Sequence, residues 1–333
     1  MSSKVNLVYG SFKRDTLCTI LVEIVAGGLS GWGECGGRRW KRFFDPYKSC
    51  LNIGKQIIGR QLKNPSTILR KDETKSLAQD SWSSGYNGGF RSAREAYSIA
   101  AYDLFGRMSA KSVSSLLGDK IRRSFPGMPV IHMSSPEAMA RTAVIWHKQK
   151  GYKFLKIKLG KDSCIERLEA IRNLVGNDVD LHIDFNHSLG KYEDTVRLIN
   201  SLYERFSISI VEDPFRASIS TYRRLRGEIE PKLMMDSGTF WPNIRRVAHK
   251  GAVDIINHHT CQQGGLDLAV LISRVAGAHG IDAAVGSSGL VGVSETAFQQ
   301  LAGVIGLSRP CESLLFADNY ADEAFKDYYG IDG

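Results

Sequence analysis

The chain has 333 residues, 43% hydrophobic and 24% charged, with a formal net charge of +9. That is ordinary globular usage for one large or two ordinary domains, and it excludes disordered, collagenous and coiled-coil classes. No run of 18 apolar residues occurs, the first 30 residues lack a basic-then-apolar leader layout, and the six Cys form no CxxC pair. A soluble, reduced, cytoplasmic protein with no membrane partner is the expectation.

The charge is lopsided: residues 1–128 hold 21 Lys and Arg against 10 Asp and Glu, and the remainder holds 23 against 25. Outside Arg38-Arg39-Trp40-Lys41-Arg42 the basic residues come singly or in pairs. They fit a solvated face, a subunit contact or a field that steers small anions, and nucleic acid is not expected as a partner.

In chain order, Val5–Tyr9 and the β-branched run Thr19–Val25 read as strands, and Gly27-Gly28 turns the chain into a third, Leu29–Glu34. From about residue 50 to 118 the pattern is helical. Ser92–Arg107 spaces Ala96, Ile99, Ala100, Asp103 and Leu104 as a helix would, and Gly118 ends a short helix that follows. Residues 1–125 therefore read as an α+β domain, joined at Phe125-Pro126-Gly127-Met128-Pro129 to a second domain over 126–333. In that second domain short apolar runs alternate with helical segments. The runs are Val130–Met133, Phe154–Leu159, Leu181–Phe185, Ile208–Val211, Leu233–Met235, Val253–Ile256 and Ile281–Val285, with an eighth strand expected near Ser313–Phe316. Strands separated by helices pair in parallel, and this many units predict a closed α/β barrel rather than an open sheet. No GxGxxG follows a strand and no GxxxxGK[ST] occurs, so dinucleotide and P-loop readings lose their support.

A charged residue closes each of five strands: Lys158, Asp184, Glu212, Asp236 and His259, at intervals of 26, 28, 24 and 23 residues. Each interval is close to one strand–helix unit, so all five fall at the carboxyl-terminal mouth, where such barrels build active sites. An ionisable group there is costly to bury unless it is paired or metal-bound. Asp184, Glu212 and Asp236 would repel one another if packed together without a counter-ion. A hard divalent cation resolves this, Mg²⁺ or Mn²⁺ rather than zinc, and acts as a Lewis acid on a bound carboxylate. Lys156 and Lys158 alternate along one strand and share its face. Two such cations beside a metal lower each other's proton affinity, which makes a neutral Lys base available. His259 would face the substrate from the opposite direction, and His182 is expected to be structural, away from the active-site side of its strand.

With these residues in place, the chain resembles the enolase superfamily, specifically its mandelate racemase and muconate lactonizing enzyme group. The matching stretches are GWGEC (31–35), AYDLFGRMSAKSVSSLLG (101–118), KIK (156–158), DFN (184–186), VEDP (211–214), MMDSG (234–238) and the GG of QQGGL (264–265). The resemblance implies an N-terminal α+β capping domain on a (β/α)7β TIM-like barrel with a C-terminal tail. It also implies the mechanism already known for this superfamily, Mg²⁺-dependent removal of the proton α to a carboxylate through an enediolate. Carried over residue by residue, it makes Asp184, Glu212 and Asp236 metal ligands and Lys158 the base. Lys156 would stabilise charge on the substrate carboxylate, and Asn186 would line the site near the metal.

This chain departs from the group at the second catalytic position. Muconate-cycloisomerase-like members carry a Lys where His259 stands. Mandelate-racemase-like members have an Asp there, paired with a His after the seventh strand, where this chain reads Val285-Gly286-Ser287-Ser288-Gly289. The second proton carrier would then be His259 or its neighbour His258. The other reading makes His259 a hydrogen-bonding or substrate-binding group, and His132 on the first barrel strand is a further candidate for substrate contact. In the family the capping-domain loops choose the substrate, and Arg38, Arg39 or Arg42 would pair with an extra carboxylate. The expected partner is a small carboxylate substrate, and a homo-oligomer is expected because family members commonly assemble. Three outcomes follow: racemisation, epimerisation or cycloisomerisation; dehydration of an acid sugar with His259 as general acid; or a barrel that binds metal and carboxylate without turnover.

Overall fold

A computed structural model describes residues 2–3, 7–9, 12–14, 17–37, 40–57, 64–68, 89–119, 124, 126–287, 292–307 and 309–312. Short strands β1 (Ser2–Ser3), β2 (Leu7–Tyr9) and β3 (Phe12–Arg14) precede a long hairpin, β4 (Leu17–Ala26) and β5 (Leu29–Gly37). Gly27 and Gly28 take φ of 59° and 76°, the left-handed values that match a two-residue loop to the strand twist. Helices α1 (Trp40–Ile57) and α2 (Gly89–Ser109) cover this sheet, and the helix expected at 92–107 lies within α2. The packing is unusually close. A Cβ at Gly33 would lie 1.8 Å from the Ala96 carbonyl oxygen, and one at Gly31 would lie 2.1 Å from that of Ala100. Bare glycine backbone on β5 and alanines on α2 let strand and helix approach to main-chain contact. Helix α3 (Val113–Leu117) follows, its first turn capped by Ser112 Oγ accepting from the Ser115 N–H, and it ends at Gly118 as its sequence suggests.

The second half is a ring of parallel strands. β6 (Val130–Ile131), β7 (Phe154–Lys158), β8 (Asp180–Asp184), β9 (Ile208–Glu212), β10 (Lys232–Met235), β11 (Ile255–His258) and β12 (Asp282–Val285) form one seven-stranded sheet in sequence order. Amphipathic helices return the chain between them. In the helix Tyr192–Phe206, for example, Thr195, Ile199, Leu202 and Phe206 are buried at helical spacing. Residues 311–312 fill the remaining gap. Cys311 N–H donates to Pro126 O and Met128 N–H to Cys311 O, while Glu312 N–H donates to Val285 O. The chain there lies between β6 and β12 and takes the eighth place in the ring. The strand expected at Ser313–Phe316 lies outside the described residues.

Side chains alternate between the inside of the ring and the helix layer. Ile210, Met234, Ile255 and Ala284 pack together inside, two residues below Glu212, Asp236, Asn257 and Gly286 at the mouth. The larger core lies between the strands' outer faces and the helices. No helix among the described residues is long and apolar enough to cross a membrane.

Candidate active site

Strand register places Lys158 beside Asp184 and Asp184 beside Glu212, so three charged side chains stand in one layer at the mouth. Lys156 lies one layer down, beside His182. The expectation that His182 turns away from the site is wrong. Residues 182 and 184 are two apart and share a face, and His182 Nε2 lies 2.6 Å from Glu212 Oε2.

The Lys156 ammonium is the centre of this side. Its Nζ is 2.7 Å from Glu212 Oε2, 2.8 Å from Glu312 Oε1 and 3.1 Å from Asp184 Oδ2, and Lys158 Nζ is 2.5 Å from that same Asp184 oxygen. Burial alone would lower the proton affinity of Lys156, but Glu212, Glu312 and Asp184 outweigh it and hold the ammonium well above the usual lysine range. The expected mutual lowering of the two lysines is reversed for Lys156 in this arrangement, because three carboxylates surround it. Burial and the Glu212 charge push Asp184 up, and Lys158 and Lys156 more than offset them, so its carboxyl stays below the ordinary value. Glu212 is held well below the usual range, with Lys156 and then His182 overcoming its burial.

The other side is built differently. Asp236 Oδ1 accepts from Gln262 Nε2 at 3.0 Å and lies 3.3 Å from His259 Nε2. The His259 imidazole lies against Gly286, where a Cβ would be 2.2 Å from Nε2. In a ring of eight places β7 is the second and β11 the sixth, so Lys158 and His259 stand across the mouth from one another.

Strained backbone at the tips of β8 and β9 fixes the carboxylates. Asn186, His187 and Asp213 take φ of 45°, 62° and 41°, conformations that cost non-glycine residues about 1–3 kcal/mol each. Asn186 donates its backbone N–H to Asp184 Oδ1 at 2.8 Å. Asp213 accepts from the Asp236 N–H at 3.2 Å and the Ser237 N–H at 2.9 Å, holding the end of β10 in place. The cap locks on just beyond His259. Arg94 of α2 makes two bonds to Asp267, at 2.9 and 2.8 Å, and a third to Gly264 O, while Glu95 accepts from Thr260 Oγ1. Gly265, at φ 128°, has room for no side chain, since a Cβ would lie 2.5 Å from that of Ser98.

Of the residues singled out in sequence, Lys156, Lys158, Asp184, Glu212, Asp236 and His259 come together at the mouth. Asn186 joins them through its main chain. His132 lies just past β6, half-buried and one strand from Lys156. His258 does not reach the site. It sits on the outer face of β11 with Nε2 2.6 Å from Ser273 Oγ, and burial pushes its pKa down to about 4. Arg38, Arg39, Ser288, Gly289 and the side chain of Arg42 lie outside the described residues. Asn257, Gln262 and Glu312 join the site without having been singled out in sequence, and His182 joins it against expectation. Asn257 and His182 each lie two positions before a chosen residue, so strand alternation would have found them. Gln262 and Glu312 carry no such signal.

Among the described residues no group of three or more His, Cys, Asp or Glu side chains forms a ready metal cluster. The Lys156 ammonium occupies the point where Asp184 and Glu212 meet, and Asp236 is turned toward Gln262 and His259. The donor chemistry nevertheless fits a hard divalent cation: three buried carboxylates on consecutive strands, two of them already gathered around a positive charge.

A cap locked onto an α/β barrel, with carboxylates and lysines crowning the strands, defines a class of enolising enzymes. The chain belongs to the mandelate racemase and muconate lactonizing enzyme family of the enolase superfamily. Residues 3–118 match the mandelate racemase / muconate lactonizing enzyme N-terminal domain, and residues 138–332 match the enolase C-terminal domain-like family. It is 28% identical over 290 residues to the N-succinyl-L-Arg/Lys racemase of Bacillus cereus, covering 84% of this chain and 74% of that one. The crystal structure of that racemase superposes with a TM-score of 0.83 at 25% identity, over 97% of this chain and 86% of that one. Identity to the L-Ala-D/L-Glu epimerase of Clostridium acetobutylicum is 33% over 255 residues, 75% of this chain and 67% of that one. The Enterococcus faecalis dipeptide epimerase, solved with Mg and L-Leu-L-Tyr, has the same fold at a TM-score of 0.82 and 24% identity, over 97% of this chain and 90% of that one. The activity expected from the sequence, α-proton removal from a carboxylate leading to isomerisation, is that of the family to which the chain belongs. It is an enzyme of the isomerase or lyase kind.

Proposed function

We propose that this protein is a Mg²⁺-dependent racemase or epimerase acting on a carboxylate whose α-carbon carries an acylated nitrogen, as in an N-acylamino acid or a dipeptide. The observation that carries the reading is the placement of Lys158 and His259 on opposite sides of the mouth, because inverting a stereocentre needs a proton carrier on each face. The names of the racemase and the epimerase favour the substrate class.

Asp184, Glu212 and Asp236 would hold the cation, which when bound polarises the substrate carboxylate and acidifies the neighbouring C–H. Lys158 takes the α-proton on its face. The electron pair left on carbon spreads into the substrate carboxylate, whose charge Lys156 stabilises from below. His259 then delivers a proton to the other face, and the reverse reaction exchanges the roles of the two groups.

Incubation with Mg²⁺ in D₂O and a panel of N-succinylamino acids and dipeptides tests this by NMR. The expected result is α-deuteration accompanied by inversion. Exchange without inversion overturns the two-face assignment, and loss of water to a 2-keto acid from a sugar acid would identify a dehydratase instead.

A further inference from the structure

We propose that Asn257 is the residue that positions His259 for its face of the reaction, with Gly286 providing the space in which the imidazole lies; this rests on the two-face reading above. Asn257 is fully buried on the inner face of β11, two residues before His259. Its Nδ2 lies 3.4 Å from His259 Nε2, 3.3 Å from Glu212 Oε1 and 3.2 Å from Glu312 Oε1. One amide nitrogen thus links the imidazole to two of the three carboxylates that grip Lys156.

The orientation of that amide is fixed by its neighbours. Turned over, the amide would set its oxygen against two carboxylates. As it stands, Oδ1 is buried and takes no hydrogen bond among the described residues, so these polar contacts all run through the nitrogen. A neutral donor suits the place, because its two N–H groups serve two of these three acceptors at a time without adding charge. Gly286 closes the arrangement from β12. A Cβ there would stand 2.2 Å from His259 Nε2, 2.6 Å from its Cε1 and 2.9 Å from Asn257 Nδ2, so a single methyl collides with both groups. The glycine is needed for space, since its backbone is not in the left-handed region.

The decisive measurement uses the full-length protein with Mg²⁺ and histidine labelled with ¹³C and ¹⁵N in the ring, the His259 resonance being assigned by its loss in His259→Asn. In Asn257→Ala and in Gly286→Ala the His259 signal is expected to move, while that of His258, on the outer face of β11, stays. Deuterium exchange is then read separately from N-succinyl-L-arginine and N-succinyl-D-arginine. Asn257→Ala should slow exchange of the enantiomer deprotonated on the His259 face about tenfold, the scale of one lost hydrogen bond, and the other by less than about threefold. Gly286→Ala should cost about a hundredfold on that same face, as displacements near 1 Å do. Asn257→Ser, which keeps a donor, should recover part of the loss. A His259 signal unmoved in both alanine variants, or equal loss for both enantiomers, would overturn the assignment. If the wild-type protein exchanges neither enantiomer, the two-face reading fails for this substrate, and the ring signal still decides whether Asn257 holds the imidazole.

Discussion

The two sides of the barrel mouth solve one problem with different chemistry. On the β7–β9 side, with Glu312 reaching in from the eighth place, full charges meet: Lys156, Lys158, Asp184, Glu212 and Glu312 lie within 3.1 Å of a partner of opposite sign. On the β10–β12 side neutral groups surround Asp236: the Gln262 amide donates to it and the His259 imidazole lies 3.3 Å away, with the Asn257 amide against that ring. The charged side holds its geometry by Coulomb attraction in a dry interior, where any removed partner leaves a costly orphan. The amide side holds its geometry by shape and directional hydrogen bonds, which tolerate loss better but fix orientation more sharply. This asymmetry suits a base that must stay put beside a metal and a second proton carrier that must be aimed.

The largest effects should come from the charged side. Lys158→Ala is expected to reduce α-proton exchange about 10²–10⁴-fold, the usual scale for a positioned acid or base, with Mg²⁺ affinity retained in calorimetry. Exchange persisting at wild-type rates would remove Lys158 from the mechanism. Lys156→Met should destabilise the metal-free protein by about 3–5 kcal/mol in denaturant unfolding, because Asp184, Glu212 and Glu312 lose their common cation. Mg²⁺ should restore more stability to this variant than to the wild type, since the freed carboxylates bind it only when folded. Equal Mg²⁺ responses would show that the cation binds elsewhere. His259→Asn should separate the two sides most clearly: exchange from one enantiomer falls toward background and exchange from the other persists.

How much of this was legible in the sequence follows the same division. Charges at strand ends repeat at the length of one strand–helix unit, so Lys158, Asp184, Glu212, Asp236 and His259 announced both the barrel and its mouth. Asn257 follows from alternation once His259 is placed, whereas Gln262, in the short helix Thr260–Gln263 after β11, has no period of its own. His182 was misplaced for lack of a parity check against Asp184. Glu312 follows the last helix and enters the ring through main-chain bonds to Val285, a closure that no local pattern encodes. His258 is a weaker candidate than its neighbour His259, and strand alternation sets it against Ser273, in the helix layer.

That outward histidine gives a pH-dependent check. Folded His258 titrates near 4, against about 6.5 when unfolded, so between those values the unfolded chain binds a proton that the folded one does not. Stability is therefore complete above pH 6.5 and falls as pH drops toward 4, by about 3 kcal/mol in all. His258→Asn should flatten that part of the profile, as read by urea midpoints at pH 4.5 and 7. An unchanged slope would show that the ring is not held in its neutral form.

The smallest expected effect lies where the cap meets the amide side, and its sign is opposite. Glu295, in the first turn of the helix Val293–Ala302, is 3% exposed and accepts from Ser287 Oγ at 2.8 Å. Burial pushes its carboxyl well above the ordinary range; the Ser287 hydroxyl opposes it, and the charges of Glu34, Glu312 and Glu95 reinforce it. A raised folded pKa means that the folded protein keeps a proton the unfolded chain has lost. Stability is therefore full below about pH 4.3 and declines as pH rises from there toward the folded value. Glu295→Gln keeps an acceptor for Ser287 and removes the titration, so it should change little at pH 4 and raise Tm at pH 8. About 1 kcal/mol, or about 1–2 °C for a chain of 333 residues, is the expected gain. A variant that gains as much at pH 4 as at pH 8 would show that Glu295 is ionised throughout, and that the cap seats against this wall without a held proton.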